Sequence, residues 1–147
     1  MPARSACCKT KDQHQETLNA IQMAEGLAAS SLTPDAEQVE KLGGGWIAEE
    51  ALAISLYCAL VAKDFEHGIS LAVNHGGDSD STGAIAGNLL GAALGVNAIP
   101  ERWRKQLELA NVIEQVADDL HDYPEWNIGE YVSGGDNERI WVRYPGW

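Results

Sequence analysis

Between two apolar stretches the chain reads Asn74-His75-Gly76-Gly77-Asp78-Ser79-Asp80-Ser81-Thr82-Gly83. Two carboxylates, Asp78 and Asp80, and two hydroxyls, Ser81 and Thr82, follow a glycine pair there. All are hard oxygen donors. Such donors suit Mg²⁺, Mn²⁺ or Ca²⁺, whereas zinc prefers thiolate and imidazole. Asp78 and Asp80 sit two apart, so in a turn both can point toward one ion. Gly76 and Gly77 let the backbone bend tightly before them. The same residue types favour helix starts, so an N-cap cluster without metal is the competing reading.

Two other motifs are compatible with part of this string and fail on the rest. An EF-hand loop starting at Asp78 would place Leu89 where a bidentate Glu is required. The string Asp78-Ser79-Asp80-Ser81-Thr82 also has the D-x-D-x-T form of haloacid-dehalogenase-type phosphatases. That form needs its first Asp at the end of a buried parallel strand. Here Asn74 to Gly77 intervene, and no alternation of strands and helices is visible.

The elements that must position this loop read as helices. Leu18, Ile21, Ala24, Leu27 and Ala28 follow helical spacing. Thr33 as N-cap and Pro34 at the first helical position, with Asp35 and Glu37 behind them, predict a second helix ended by Gly43-Gly44-Gly45. Trp46 to Lys63 is apolar over so wide an arc that burial on more than one side is expected. Asp64 is set to cap a helix through Ile69, Ala72 and Val73. After the acidic loop a helix is expected from Gly83 to about Gly95. Its glycines at 83, 87, 91 and 95 suggest close approach to a neighbouring helix. Pro100 opens another helix, and Asn111 caps one with Val112, Ile113, Val116, Ala117 and Leu120 inward. Tyr131-Val132 and Ile140 to Tyr144 flank Gly134-Gly135-Asp136-Asn137, a pattern that predicts a short β-hairpin. The expected architecture is an all-α helical bundle with a short C-terminal β-hairpin. Its parts are an irregular or disordered start over 1–12, a helical domain over 13–123 and a tail over 124–147.

The 147 residues are one domain's worth, and 45% hydrophobic content is enough for a core. A formal charge of -12 disfavours nucleic acid as a partner, since that needs a basic face. Cys7, Cys8 and Cys58 are odd in number, two of them adjacent, and show no zinc-ligand spacing, so a reduced cytoplasmic setting is expected. The N-terminus has no apolar h-region of a signal peptide, and the apolar stretch from Ala84 to Ile99 is too short to span a bilayer.

Four segments carry a more specific likeness. They are Gly43-Gly44-Gly45-Trp46, Ala48-Glu49-Glu50-Ala51-Leu52, the run from Asn74 to Gly87, and Ile99-Pro100-Glu101-Arg102-Trp103. In this order they resemble the C-terminal part of the ADP-ribosylglycohydrolase family, over about Asn19 to Leu120, with a further likeness in Arg143-Tyr144-Pro145-Gly146-Trp147. The resemblance implies an all-α fold and a binuclear Mg²⁺ or Mn²⁺ centre. It implies a metal-dependent hydrolase that cleaves the glycosidic bond between ADP-ribose and a modified protein side chain or small acceptor. By motif position, Asp78, Asp80 and Ser81 are the implied metal ligands, with Asp80 between the two ions.

The family's other ligands come from a Thr-Asp-Asp-Thr-type motif in its N-terminal half, and no such motif occurs here. The Asp-Asp pair at 118 and 119 reads as solvated surface or local capping. The expectation is a C-terminal part, a truncated paralogue or one half of a split protein, with at most half of the metal site and no assignable general base. Self-association or pairing with an N-terminal half would then cover surface left bare. The alternative is a catalytically inactive interaction or structural protein on the same scaffold. His75 reads as a satisfied structural side chain, Glu49 and Glu50 as helix-start carboxylates, and Trp46 as core, with lining of an adenosine pocket as its functional alternative.

Overall fold

The computed structural model describes residues 14–30 and 33–145. The expectations for the start of the chain, Cys7, Cys8 and Trp147 lie outside these residues. Eight α-helices occur among the described residues and no strand does. They are α1 (Gln15–Ala28), α2 (Ala36–Glu40), α3 (Ala48–Val61), α4 (Phe65–Val73), α5 (Ser79–Leu94), α6 (Glu101–Gln106), α7 (Ala110–Asp122) and α8 (Gly135–Arg143). Short 3-10 turns stand at Val96–Ala98 and Tyr123–Glu125. No described helix is long and apolar enough to cross a membrane. The chain divides into two compact units, one up to Trp103 and one from Arg104.

The first unit is built around α3. Its Ala-, Leu- and Ile-rich sequence buries Ala51, Ala53, Ile54, Ser55, Leu56, Tyr57 and Cys58, so apolar atoms leave water on all sides of the helix. α1 packs on one flank through Ala20 and Ala24, and α5 on another through Ala86. α4 packs against both α3 and α5. Alanines at these contacts let the helix axes come close. Burial pushes the Cys58 thiol up to about 12. Phe65 meets Trp103 edge-on, with ring centroids 6.3 Å apart, and Arg102 lies over the same indole at 5.5 Å.

Several boundaries differ from expectation. Asp35, not Thr33, caps α2, its Oδ1 accepting from the Gln38 amide at 3.0 Å. Asp64 caps α4 as expected, accepting from the His67 amide at 2.7 Å. α5 begins at Ser79 rather than Gly83, because Asp78 takes the N-cap and the acidic string becomes the first helical turn. Of its glycine stripe only the first half meets α4. A Cβ on Gly83 would lie 2.7 Å from Val73 Cγ1 and one on Gly87 3.6 Å from Ile69 Cδ1, while Gly91 and Gly95 have nothing within 4 Å.

The second unit corrects several expectations. No hairpin forms: Gly135–Arg143 is helical. Asp136 and Glu138 stand at its positive end and Arg143 in its last turn, which complements the helix dipole better than it serves a strand turn. Asn137 fixes the approach, its Oδ1 accepting from the Gly129 amide at 3.1 Å and its Nδ2 donating to the Val132 carbonyl at 2.6 Å. α7 starts at Ala110, after Leu109 in a left-handed conformation, and Asn111 is not its cap. Val112, Ile113 and Leu120, expected inward, are exposed, because α7 and α8 hold no buried residue and their unit has no core for these side chains to join.

Asp119 is not solvated surface. Arg143 Nη1 donates to both of its oxygens, at 2.8 and 2.6 Å, and the Tyr144 hydroxyl donates to Oδ2 at 2.9 Å. These bonds, Arg143 first, hold the Asp119 carboxyl below the usual carboxylate range. They tie α7 to the end of α8.

Candidate functional site

The acidic loop is fixed through its backbone. The Asp78 amide donates to the Gly44 carbonyl at 2.8 Å, and the Asp78 carbonyl accepts from the Thr82 amide at 3.2 Å and the Thr82 hydroxyl at 2.9 Å. The loop thus lies directly on the Gly43-Gly44-Gly45 turn. The contact is too close for a side chain: a Cβ on Gly77 would stand 1.9 Å from the Gly44 oxygen. Gly45 has φ +77, a region open to glycine, and a Cβ there would meet Thr82 Cγ2 at 2.9 Å.

Two glutamates brace the turns from outside. Glu40 Oε1 accepts from the Gly76 amide at 3.1 Å, and Glu50 Oε2 from the Gly44 amide at 3.1 Å. Sequence reading assigned Glu50 only to the helix dipole and did not single out Glu40. Glu40 lies far from Gly76 in the chain, so no local pattern could reveal the pair. The Gly-Gly-Gly turn followed by Glu50 was the one available signal.

His75 is a structural side chain, as expected. It is buried; its Nδ1 accepts from the Gly77 amide at 3.1 Å, which leaves the proton on Nε2 to be donated to Thr82 Oγ1 at 3.0 Å. The single Thr82 hydroxyl proton lies between the Ala72 carbonyl at 2.7 Å and the Asp78 carbonyl at 2.9 Å, and Thr82 is fully buried, so its hydroxyl is not a ligand oxygen for the loop.

That leaves Asp78, Asp80 and Ser81, which the first turn of α5 brings together. Asp78 Oδ1 accepts from the Ser81 amide at 3.4 Å. Its carboxyl is held below the usual range first by a side-chain hydrogen bond with Asp80 and next by one with Ser81. Two half-buried residues, Asp78 and Ser81, and the exposed Asp80 therefore present adjacent oxygens at a helix start. The donor type fits a hard cation. The donor number does not fill the six positions that Mg²⁺ prefers, and among the described residues no group of three or more His, Cys, Asp or Glu side chains could hold a metal.

Trp46 departs from the expected core position. It is 72% exposed, and its ring lies over Gly44, beside the acidic loop. Ile47 next to it is also exposed.

Comparison with known proteins places the sequence among relatives. The ADP-ribosylglycohydrolase family profile matches residues 3–128. The ADP-ribosyl-[dinitrogen reductase] glycohydrolase of Rhodospirillum rubrum is 43% identical over 54 residues, covering 37% of this chain and 18% of that protein. ADP-ribosylhydrolase ARH3 of Homo sapiens is 30% identical over 110 residues, 67% of this chain and 30% of its own length. ADP-ribosylarginine hydrolase Tri1 of Pseudomonas putida is 33% identical over 73 residues, 50% and 20% respectively. The chain spans less than a third of the length of these relatives. No solved structure matches it.

Proposed function

The chain belongs to the ADP-ribosylglycohydrolase family, and from that premise we propose that it serves hydrolysis of the glycosidic bond between ADP-ribose and a modified protein side chain. In this reading Asp78, Asp80 and Ser81 form one side of a Mg²⁺ or Mn²⁺ centre. The observation that supports it is that these three residues sit together at the start of one helix, whose backbone is tied to Gly44. The name of the Rhodospirillum relative, with a protein as the modified partner, supports a protein acceptor.

A divalent cation held there would offset the charge of the diphosphate and anchor ribose oxygens. The chain's own residues do the rest of what it contributes. Asp78 and Asp80 would hold the cation, and Ser81 would add a neutral oxygen. Gly44 and Gly77 let the two turns meet, which keeps the Asp78 carboxylate from drifting. The amide end of α5 favours an anion nearby. The exposed Trp46 ring offers a flat face on which a base or ribose can pack. No general base is assigned among these side chains. The remaining ligands and the base come from another polypeptide segment, so the chain by itself hydrolyses slowly or not at all.

Calorimetric titration with manganese tests the assignment. Heat in the wild type that disappears in Asp80→Ala is the expected result, and a wild type without heat removes the metal reading. Turnover of ADP-ribosyl-arginine by the isolated chain would refute the need for a second segment. The scarcity of charged ligands among the described residues favours one rival, an inactive interaction protein. Manganese binding without turnover after the missing segment is supplied would select it.

A further inference from the structure

A groove runs along one face of α1. At one end it opens into a cavity of about 500 Å³, between the face of α1 bearing Glu16 and Met23 and the start of α3. A second cavity of about 380 Å³ shares Met23, Lys41 and Leu42 with the first and continues past Leu27 to Ser30. The floor is apolar: Leu42 is buried and Met23 is 52% exposed. The charges are uneven. Glu16, Glu49 and Glu50 gather at the first end, while Lys41 donates to Gln38 Oε1 at 2.7 Å. That acidic end abuts the candidate centre, since Gly43 lines the cavity and Gly44 bonds both Glu50 and Asp78.

From Glu16 to Ala28 the helix rises about 18 Å at ~1.5 Å per residue, room for about five residues of extended chain at ~3.3 Å each. We propose that this groove binds an extended polypeptide carrying apolar side chains and a lysine or arginine, the segment that flanks the ADP-ribosylated residue. The occupant is set by complementarity: apolar side chains for the Met23 and Leu42 floor, and a cation for the three carboxylates. Its identity as substrate flank rests on the proposed function, and its position follows from the shared Gly43–Gly45 turn.

Fluorescence anisotropy with a labelled five-residue peptide alternating leucine and arginine tests this. Binding that weakens with added salt, and that an analogue with glutamate in place of arginine does not show, is expected. Glu16→Gln combined with Glu49→Gln should weaken it about three- to tenfold, the range for two exposed ion pairs. Equal affinity for both peptides, or no effect of the double substitution, overturns the proposal. Deleting residues 1–13, which include Arg4, Lys9 and Lys11, should leave affinity unchanged; a large gain would make that segment the occupant. A dimer in sedimentation that the double substitution dissociates would assign the groove to a second copy. Asp80→Ala should abolish manganese heat and spare peptide binding. Manganese heat without peptide binding overturns the groove alone, and peptide binding without manganese heat supports the groove while removing only the metal reading.

Discussion

At the scale of single residues, the site depends as much on absent side chains as on present ones. Gly77→Ala should destabilise the protein by about 1–3 kcal/mol, since the new methyl meets a carbonyl oxygen of another turn and neither backbone yields cheaply. Urea denaturation measures this, and manganese binding in the variant should fall with it. Cys58 gives a second expectation. Its ionised form is disfavoured only in the fold, so stability is full below the unfolded thiol's pKa of about 8.5 and falls as pH rises from there toward about 12. Alkylation at about pH 8 with peptide mapping should leave Cys58 unmodified until the protein unfolds. The candidate ligand residues stood out because oxygen donors cluster in one short string. Glu40 and Glu50 were not, because their role exists only once the two glycine turns have met.

At the scale of elements, composition marked most helices but not all their ends. Asp64 could be read directly, because a cap and its helix are neighbours in sequence. Gly134 to Tyr144 misled, since glycine, asparagine and β-branched residues suit a strand turn and a helix start alike. The α8 helix is held by a partner that lies well before it, the Asp119 carboxylate. That pairing stabilises the folded state at pH above the usual aspartate value of about 3.9 and is lost as pH falls through the lower folded value. The ring signals of Tyr144, followed by NMR, should therefore shift with a midpoint below that of a free aspartate. In Asp119→Asn they should not titrate in this range.

At the scale of the whole molecule, burial is concentrated in the first unit. Every buried hydrophobic residue among those described precedes Trp103, whereas α7 and α8 bury none. A chain ended after Gln106 should keep a cooperative thermal transition, and residues 104–147 alone should show little helix by circular dichroism. The family was readable from ordered motifs spread over several helices. The groove along α1 was not, because it arises from the docking of segments whose individual sequences look like ordinary amphipathic surface. One bond joins these levels. The Asp78 amide reaches the Gly44 carbonyl across the fold, so a loop that looks peripheral is bolted to the entrance of the central helix. In deuterated solvent that amide should keep its proton far longer than its loop neighbours, and exchange only when α3 and α5 part. Its slow exchange would be a clock for how long the candidate site survives intact between openings.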